Sequence, residues 1–213
     1  MILLQASGLG HRFDCSLFHA LALEVCEGET LSIVGVSGSG KSTLLHILAT
    51  LLRPMEGDVF LFGKNIYTLS NDSLLAIRRN QIGIVFQSHY LFRGFSATEN
   101  LQVATLLAGE TIDENILQGF KIEHLLHSNA SKLSGGEQQR LSIARVLMKK
   151  PKIIFADEPT GNLDQETSAN VMNAIFDYVE YMKAALVLVT HDIELAHRCT
   201  KCFTLANQTL TQS

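Results

Sequence analysis

The chain has 213 residues, of which 46% are hydrophobic and 18% charged. That length lies between one and two average domains, at ~150 residues each, and the composition excludes a disordered or solvating chain. Seventeen Lys and Arg against twenty-one Asp and Glu leave a net charge of −4, so no basic field of the kind that binds nucleic acid is present.

The opening, Met1-Ile2-Leu3-Leu4-Gln5-Ala6, lacks the basic start and long apolar stretch of a secretion signal. The longest apolar runs, at 44–52 and 184–189, are far shorter than the ~18–20 residues of a spanning helix. The expectation is a cytosolic protein whose apolar surplus partly covers a docking surface. Residues 1–29 read as a β-hairpin, Thr30–Val34 as a buried strand, and 41–51 as a helix after a glycine-rich turn. Residues 57–69 read as a second hairpin, with strands at 58–62 and 81–86. A mainly helical stretch runs from about 98 to 149, followed by strand 152–156, helix 165–178, strand 185–189 and helix 192–199. Strands separated by helices predict an α/β fold with a mainly parallel core sheet, a flanking antiparallel β part and a helical part over about 88–150. Four cysteines occur, at 15, 26, 199 and 202. The last two have the CxxC spacing of a redox or zinc site, but no second CxxC or HxxxH completes a zinc set, and reduced thiols are the reading adopted.

Three segments carry chemistry. Gly35-Val36-Ser37-Gly38-Ser39-Gly40-Lys41-Ser42-Thr43 matches G-x-x-x-x-G-K-[ST] between a predicted strand and a predicted helix. The glycines let the backbone wrap phosphates with its N–H groups turned inward, and the helix dipole favours the same anion. Lys41 can reach the β- and γ-phosphates of a nucleoside triphosphate, and the Ser42 hydroxyl is placed to ligate Mg²⁺. In the second segment the apolar run ending at Ala156 gives way to Asp157 and Glu158. Asp157 can hold Mg²⁺ through water, and Glu158 can polarise an attacking water as general base.

The third segment is Leu133-Ser134-Gly135-Gly136-Glu137-Gln138-Gln139-Arg140. Its Ser-x-x-Glu is a capping-box pattern, and Gly135 and Gly136 leave the helix tip bare enough for its N–H groups to meet a phosphate. One nucleotide hardly needs two complete phosphate cradles from one chain. The economical arrangement is a dimer in which each chain presents this tip to its partner's ATP.

These motifs together resemble the ABC transporter ATPase family, and the resemblance runs from Leu4 to about Leu210. It implies an ABC ATPase fold in a single domain over 1–213, ATP and Mg²⁺ as ligands, and ATP hydrolysis driving an open–close cycle of a homodimer. It implies that Gln87 contacts Mg²⁺ and water and signals to a membrane partner, that Asp164 belongs to the loop crossing the dimer interface, and that His191 contacts the γ-phosphate. Phe13 is aligned with the aromatic that stacks on adenine, a position where Tyr is usual; ordinary core packing is the alternative. Ser134, Gly135, Gly136 and Glu137 would face the partner chain's ATP. Integral membrane subunits would dock near the stretch from Ser88 to Leu101, where Tyr90, Leu91, Phe92 and Phe95 lack a helical period and fit either core or a groove. The chain would then be peripheral, on the cytoplasmic face of the bacterial inner membrane.

Within the family, the run from Phe155 to Asp164 is similar to a subgroup of lipoprotein-releasing, macrolide-export and cell-division ATPases. Arg79-Asn80-Gln81-Ile82-Gly83 and the run from Phe95 to Leu101 look most like the lipoprotein-releasing members. Two departures stand out: a shorter stretch between Leu101 and Leu133, and Asn207-Gln208-Thr209-Leu210 in place of the usual Asp-Gly-x-Leu turn. Soluble ABC proteins of DNA repair or translation carry long coiled-coil insertions or tandem cassettes, absent from this sequence. A non-hydrolysing adaptor is disfavoured by Glu158 and His191.

Overall fold

The computed structural model describes residues 1–212. In chain order the elements begin with β1 (Ile2–Arg12), β2 (Ser16–Cys26), β3 (Thr30–Val34), α1 (Lys41–Leu48), β4 (Glu56–Leu61), β5 (Lys64–Asn65) and α2 (Asn71–Asn80). Then come β6 (Ile82–Val85), α3 (Ala97–Ala108), α4 (Glu114–Gly119) and α5 (Gly135–Leu147), with short 3-10 turns at Glu123–Leu125 and Ala130–Lys132. The chain continues through β7 (Ile153–Asp157), α6 (Gln165–Met182), β8 (Ala185–Val189), α7 (Ile193–Ala196), β9 (Lys201–Ala206) and β10 (Thr209–Gln212).

An antiparallel sheet has the order β2-β1-β4-β5, and a second sheet the order β10-β9-β3-β8-β7-β6. The second is parallel except for β10, which returns antiparallel along β9. Alternation along β7 and β8 shows how this sheet divides the core. Ile153, Phe155, Val187 and Val189 join a cluster with α1 and the antiparallel sheet. Ile154, Ala156, Leu186 and Leu188 join the other cluster, with α3, α5 and α6. Strands buried on both faces read as continuous apolar runs, and burying each large apolar side chain contributes roughly 1.5–3 kcal/mol.

Several boundaries differ from the sequence reading. The helix expected over 41–51 stops at Leu48, because Thr50 takes φ 69°. Its carbonyl and hydroxyl are bound by Arg78 of α2, a contact distant in sequence. The reading gave 71–80 no element. It forms α2, capped by Ser70, with Asp72 in its first turn and Arg78 and Arg79 in its last. The helix expected over 192–199 is the single turn α7. The two hairpin regions share one sheet through the β1–β4 pairing. At the β9–β10 turn Asn207 and Gln208 have φ 48° and 65°, the two positive values that a primed two-residue hairpin requires. The hairpin thus forms without the glycine.

Candidate functional site

Parallel strands β3, β8, β7 and β6 lie side by side, so the loops leaving their carboxyl ends emerge together. That edge is where open α/β sheets place ligands. The loops carry the stretch from Gly35 to Gly40, His191, the pair Asp157–Glu158, and Gln87 respectively. They open onto a cleft of about 420 Å³ whose walls include Phe13, Ser37, Gly38, Gly40, Lys41, Ser42, Thr43, Gln87, Glu158 and His191.

Helix α1 begins at Lys41 with Gly40 as its N-cap, at φ 98° and with no side-chain hydrogen bond to the first turn. A side chain at Gly40 would meet both a left-handed backbone and Leu17 and Phe18 at 3.3 Å. Glycine thus leaves the first-turn N–H groups uncapped by the chain's own side chains, the condition for anion binding at a helix start. Lys41, only 9% exposed, donates from Nζ to the carbonyls of Gly35 and Val36, both at 2.9 Å. Ser37 and Gly38 face the cleft; Val36 points outward, and the buried Ser39 Oγ has no hydrogen-bond partner among the described residues.

Across the cleft, Ser42 Oγ donates to Asp157 Oδ1 at 3.0 Å, and His46 Nε2 lies 3.9 Å from Asp157 Oδ2. Glu158 follows at φ 45°, a left-handed backbone that costs a non-glycine residue about 1–3 kcal/mol. Its N–H donates to Val189 O at 2.9 Å, and its Oε2 sits 2.9 Å from His191 Nδ1. β7 and β8 are paired at Asp157 and Val189, so the turn brings the carboxylate onto the neighbouring strand's histidine. Gln87 is exposed, and Asn162 Nδ2 donates to its carbonyl at 3.5 Å. Phe13 is 63% exposed with its ring edge against His11, which rules out the core-packing alternative.

Ser134, Gly135, Gly136 and Glu137 do not line this cleft. They form the tip of α5, where Glu137 N–H donates to Ser134 Oγ, and Ser134 N–H and Oγ donate to Glu137 Oε2 at 2.8 and 2.7 Å. Those bonds from Ser134 hold the Glu137 carboxyl below its usual range. Ser134 and Gly135 are exposed. Asp164 caps α6 by accepting from the Thr167 N–H at 2.9 Å, and its carboxyl is likewise lowered by Thr167. One chain therefore gathers the phosphate loop, both strand-end acids, His191, Gln87 and Phe13, and leaves the second glycine tip elsewhere on its surface.

A larger groove of about 710 Å³ opens beside Gln87, walled by Ser88, His89, Tyr90, Leu91 and Arg93 and by Ala130, Ser131, Gln138 and Asn162. Tyr90 is 68% exposed, and Phe92 and Phe95, whose rings pack on each other, are a little under half exposed. Two residues near the cleft escaped the sequence reading. His46 lies four positions after Ser42, a helical spacing that could have flagged it, and Gln139 lies within the quoted octapeptide. Among the described residues, no group of three or more His, Cys, Asp or Glu could hold a metal ion. All four cysteines are free, and burial pushes the Cys199 thiol up to about 11.

The sequence profile of the ABC transporter family matches residues 18–161. A lipoprotein-releasing system ATP-binding protein LolD from Bdellovibrio bacteriovorus is 40% identical over 196 residues, 89% of each chain. The protein of that name from Shewanella denitrificans is 42% identical over 206 residues, covering 94% of this chain and 88% of its own. Among solved structures, the dimeric post-hydrolysis state of the ATP-binding cassette MJ0796, bound to ADP and Pi, superposes with a TM-score of 0.89 at 31% identity, covering 99% of this chain and 98% of that one.

Proposed function

The chain belongs to the ABC transporter family, and from that premise we propose that it is the ATP-hydrolysing subunit of a complex that releases lipoproteins from the bacterial inner membrane. The observation that carries the reading is the meeting, in one cleft, of an uncapped glycine-rich helix start with the Glu158–His191 pair at 2.9 Å. The N–H groups of the loop and Lys41 bind the β- and γ-phosphates, and Phe13 stacks on the adenine. Glu158, oriented by His191, takes a proton from the attacking water as general base.

The hydroxyl of Ser42 and the carboxylate of Asp157, 3.0 Å apart, form the hard oxygen set that Mg²⁺ prefers, with Gln87 as a further oxygen donor. Bound there with nucleotide and water completing its shell, Mg²⁺ would neutralise charge on the phosphates. Support for the dimer comes from the tip of α5 standing apart from the cleft and from the dimeric relative. The partner subunit's Ser134, Gly135, Gly136 and Glu137 close over the nucleotide, with Asp164 near the same seam. Loss of phosphate removes the charge that holds the halves together, a two-state cycle able to do mechanical work.

The groove beside Gln87 receives a short helix of a membrane subunit, with Tyr90 and Leu91 offering its apolar contacts and Phe92 and Phe95 exposed nearby in the chain. Among the described residues no helix is long and apolar enough to cross a membrane, in keeping with a peripheral subunit on the cytoplasmic face. The test is affinity purification of the Glu158→Gln protein from detergent-solubilised membranes with MgATP, then reconstitution of the wild-type complex with a lipoprotein. A co-purifying membrane subunit with a large periplasmic domain, and ATP-dependent lipoprotein release, are expected. Recovery without any membrane subunit overturns the transporter reading. A partner that stimulates hydrolysis but releases no lipoprotein overturns the cargo and leaves the ATPase.

A further inference from the structure

Gln139, the fifth residue of α5, is buried at 1% exposure. Its Nε2 donates to the carbonyl of Pro159 at 2.6 Å and to that of Phe86 at 3.3 Å. These acceptors are the main-chain oxygens next to Glu158 and next to Gln87. With the amide nitrogen aimed at two carbonyls, Oε1 is the atom facing His89, so Nδ1 of that ring is the donor. The same helix grips His89 twice more: Ser142 Oγ donates to its carbonyl at 2.7 Å and Arg145 Nη2 at 3.4 Å. Gln139, Ser142 and Arg145 follow one another at three-residue spacing, along one face of the helix.

We propose that Gln139 is a positioning residue for ATP hydrolysis, fixing the backbone beside Gln87 and the backbone beside Glu158 to the helix that begins after Ser134. The inference rests on the reading of the cleft as an ATPase site. Gln139 touches neither nucleotide nor water in that reading; it acts through the two segments it ties. An amide meets all three demands at once, two donors and one acceptor. Glutamate would set a carboxylate against two carbonyl oxygens, and methionine would leave both without a donor from this position. Because His89 also walls the groove beside Gln87, displacement of that segment is felt at Pro159 and at the tip of α5 through one side chain.

The experiment compares the purified full chain with its Gln139→Glu and Gln139→Met variants in steady-state MgATP hydrolysis, alongside thermal unfolding and Glu158→Gln. Expected is a kcat lowered at least tenfold in both variants, with KM for ATP within about twofold of the unmodified chain, since the phosphate loop is untouched. Unchanged kcat in both variants overturns the inference. So does a rise in KM that accompanies lower unfolding temperature, the mark of mere packing. Glu158→Gln separates the two levels: if it hydrolyses ATP normally, the reading of the cleft fails and the inference with it. If it is inactive while the Gln139 variants are not, only the inference fails.

Discussion

Replacing Gly135 tests the shared-site arrangement most sharply, because a side chain there would meet nothing within 4 Å in its own chain. Gly135 is the first residue of α5, and alanine at a position it can adopt stabilises by about 0.4–1 kcal/mol through the unfolded chain. For a chain of this size that is a rise of about 1–4 °C in unfolding temperature. Activity should move the other way. If the N–H groups of this tip bind the partner's ATP, a methyl group in that gap weakens a hydrogen bond to a charged oxygen, of about 1.5–3 kcal/mol. Turnover then falls roughly 10- to 100-fold, at 1.36 kcal/mol per tenfold, and further with Gly135→Val. Phosphate release and thermal unfolding measure the two effects on one preparation. Mixing Gly135→Val with Lys41→Ala adds a second readout. Half of the dimers then pair unlike chains, and one of their two sites is intact, so about a quarter of the activity returns. Full turnover by Gly135→Val, or a loss matched by a fall in unfolding temperature, would refute the reasoning.

Three further outcomes are expected. Phe13→Ala should raise KM for ATP about 2- to 10-fold, from the roughly 0.5–1.5 kcal/mol of an aromatic pair, while Phe13→Tyr leaves it unchanged; steady-state kinetics decide. Phe155, 0% exposed in the central sheet, should cost about 3–5 kcal/mol when cut to alanine, seen as a lower denaturation midpoint. Glu99, Glu137 and Asp164 all have carboxyls lowered by cap hydrogen bonds, from Ser96, Ser134 and Thr167 respectively. Because their folded pKa values lie below the unfolded ones, the stability they contribute is full above the ordinary 4.5 of glutamate and 3.8 of aspartate. It is lost as pH falls through the lower folded values. The Glu99→Gln, Glu137→Gln double variant should therefore show a shallower acid loss of unfolding temperature than the unmodified chain; equal slopes would contradict this.

The parts legible in the sequence were those whose cause is local. β3 and β8 match their predicted bounds residue for residue, because each is a five-residue run buried throughout and flanked by breaks. The capping box at Ser134 reads directly from its spacing. Helix α2 escaped because its buried stripe is little more than Ile77, too thin to show a period. The end of α1 escaped because Arg78 binds Thr50 from 28 positions away. At the site, the linear motifs pointed to the phosphate loop and the strand-end acids, but not to how close His46 comes to Asp157, which only its spacing from Ser42 hinted at, nor to Gln139 tying two separate segments. Those are facts of orientation, set by how α1 and α5 lie on the sheet.

The order of that sheet also grades its stiffness. β3, β8 and β7 each have a ladder on both sides, whereas β6, four residues long, is an edge strand whose one ladder is with β7. The strand ends that present Lys41, Asp157 and His191 thus belong to a clamped plate, and a shift in any of them strains two ladders at once. The loop with Gln87 grows from the plate's edge, where bending disturbs one ladder and the side-chain bonds by which α5 holds Phe86 and His89. A push arriving from outside would spend its travel at that rim and leave the phosphate loop in register. Compliance is concentrated on the side of the cleft that faces the groove.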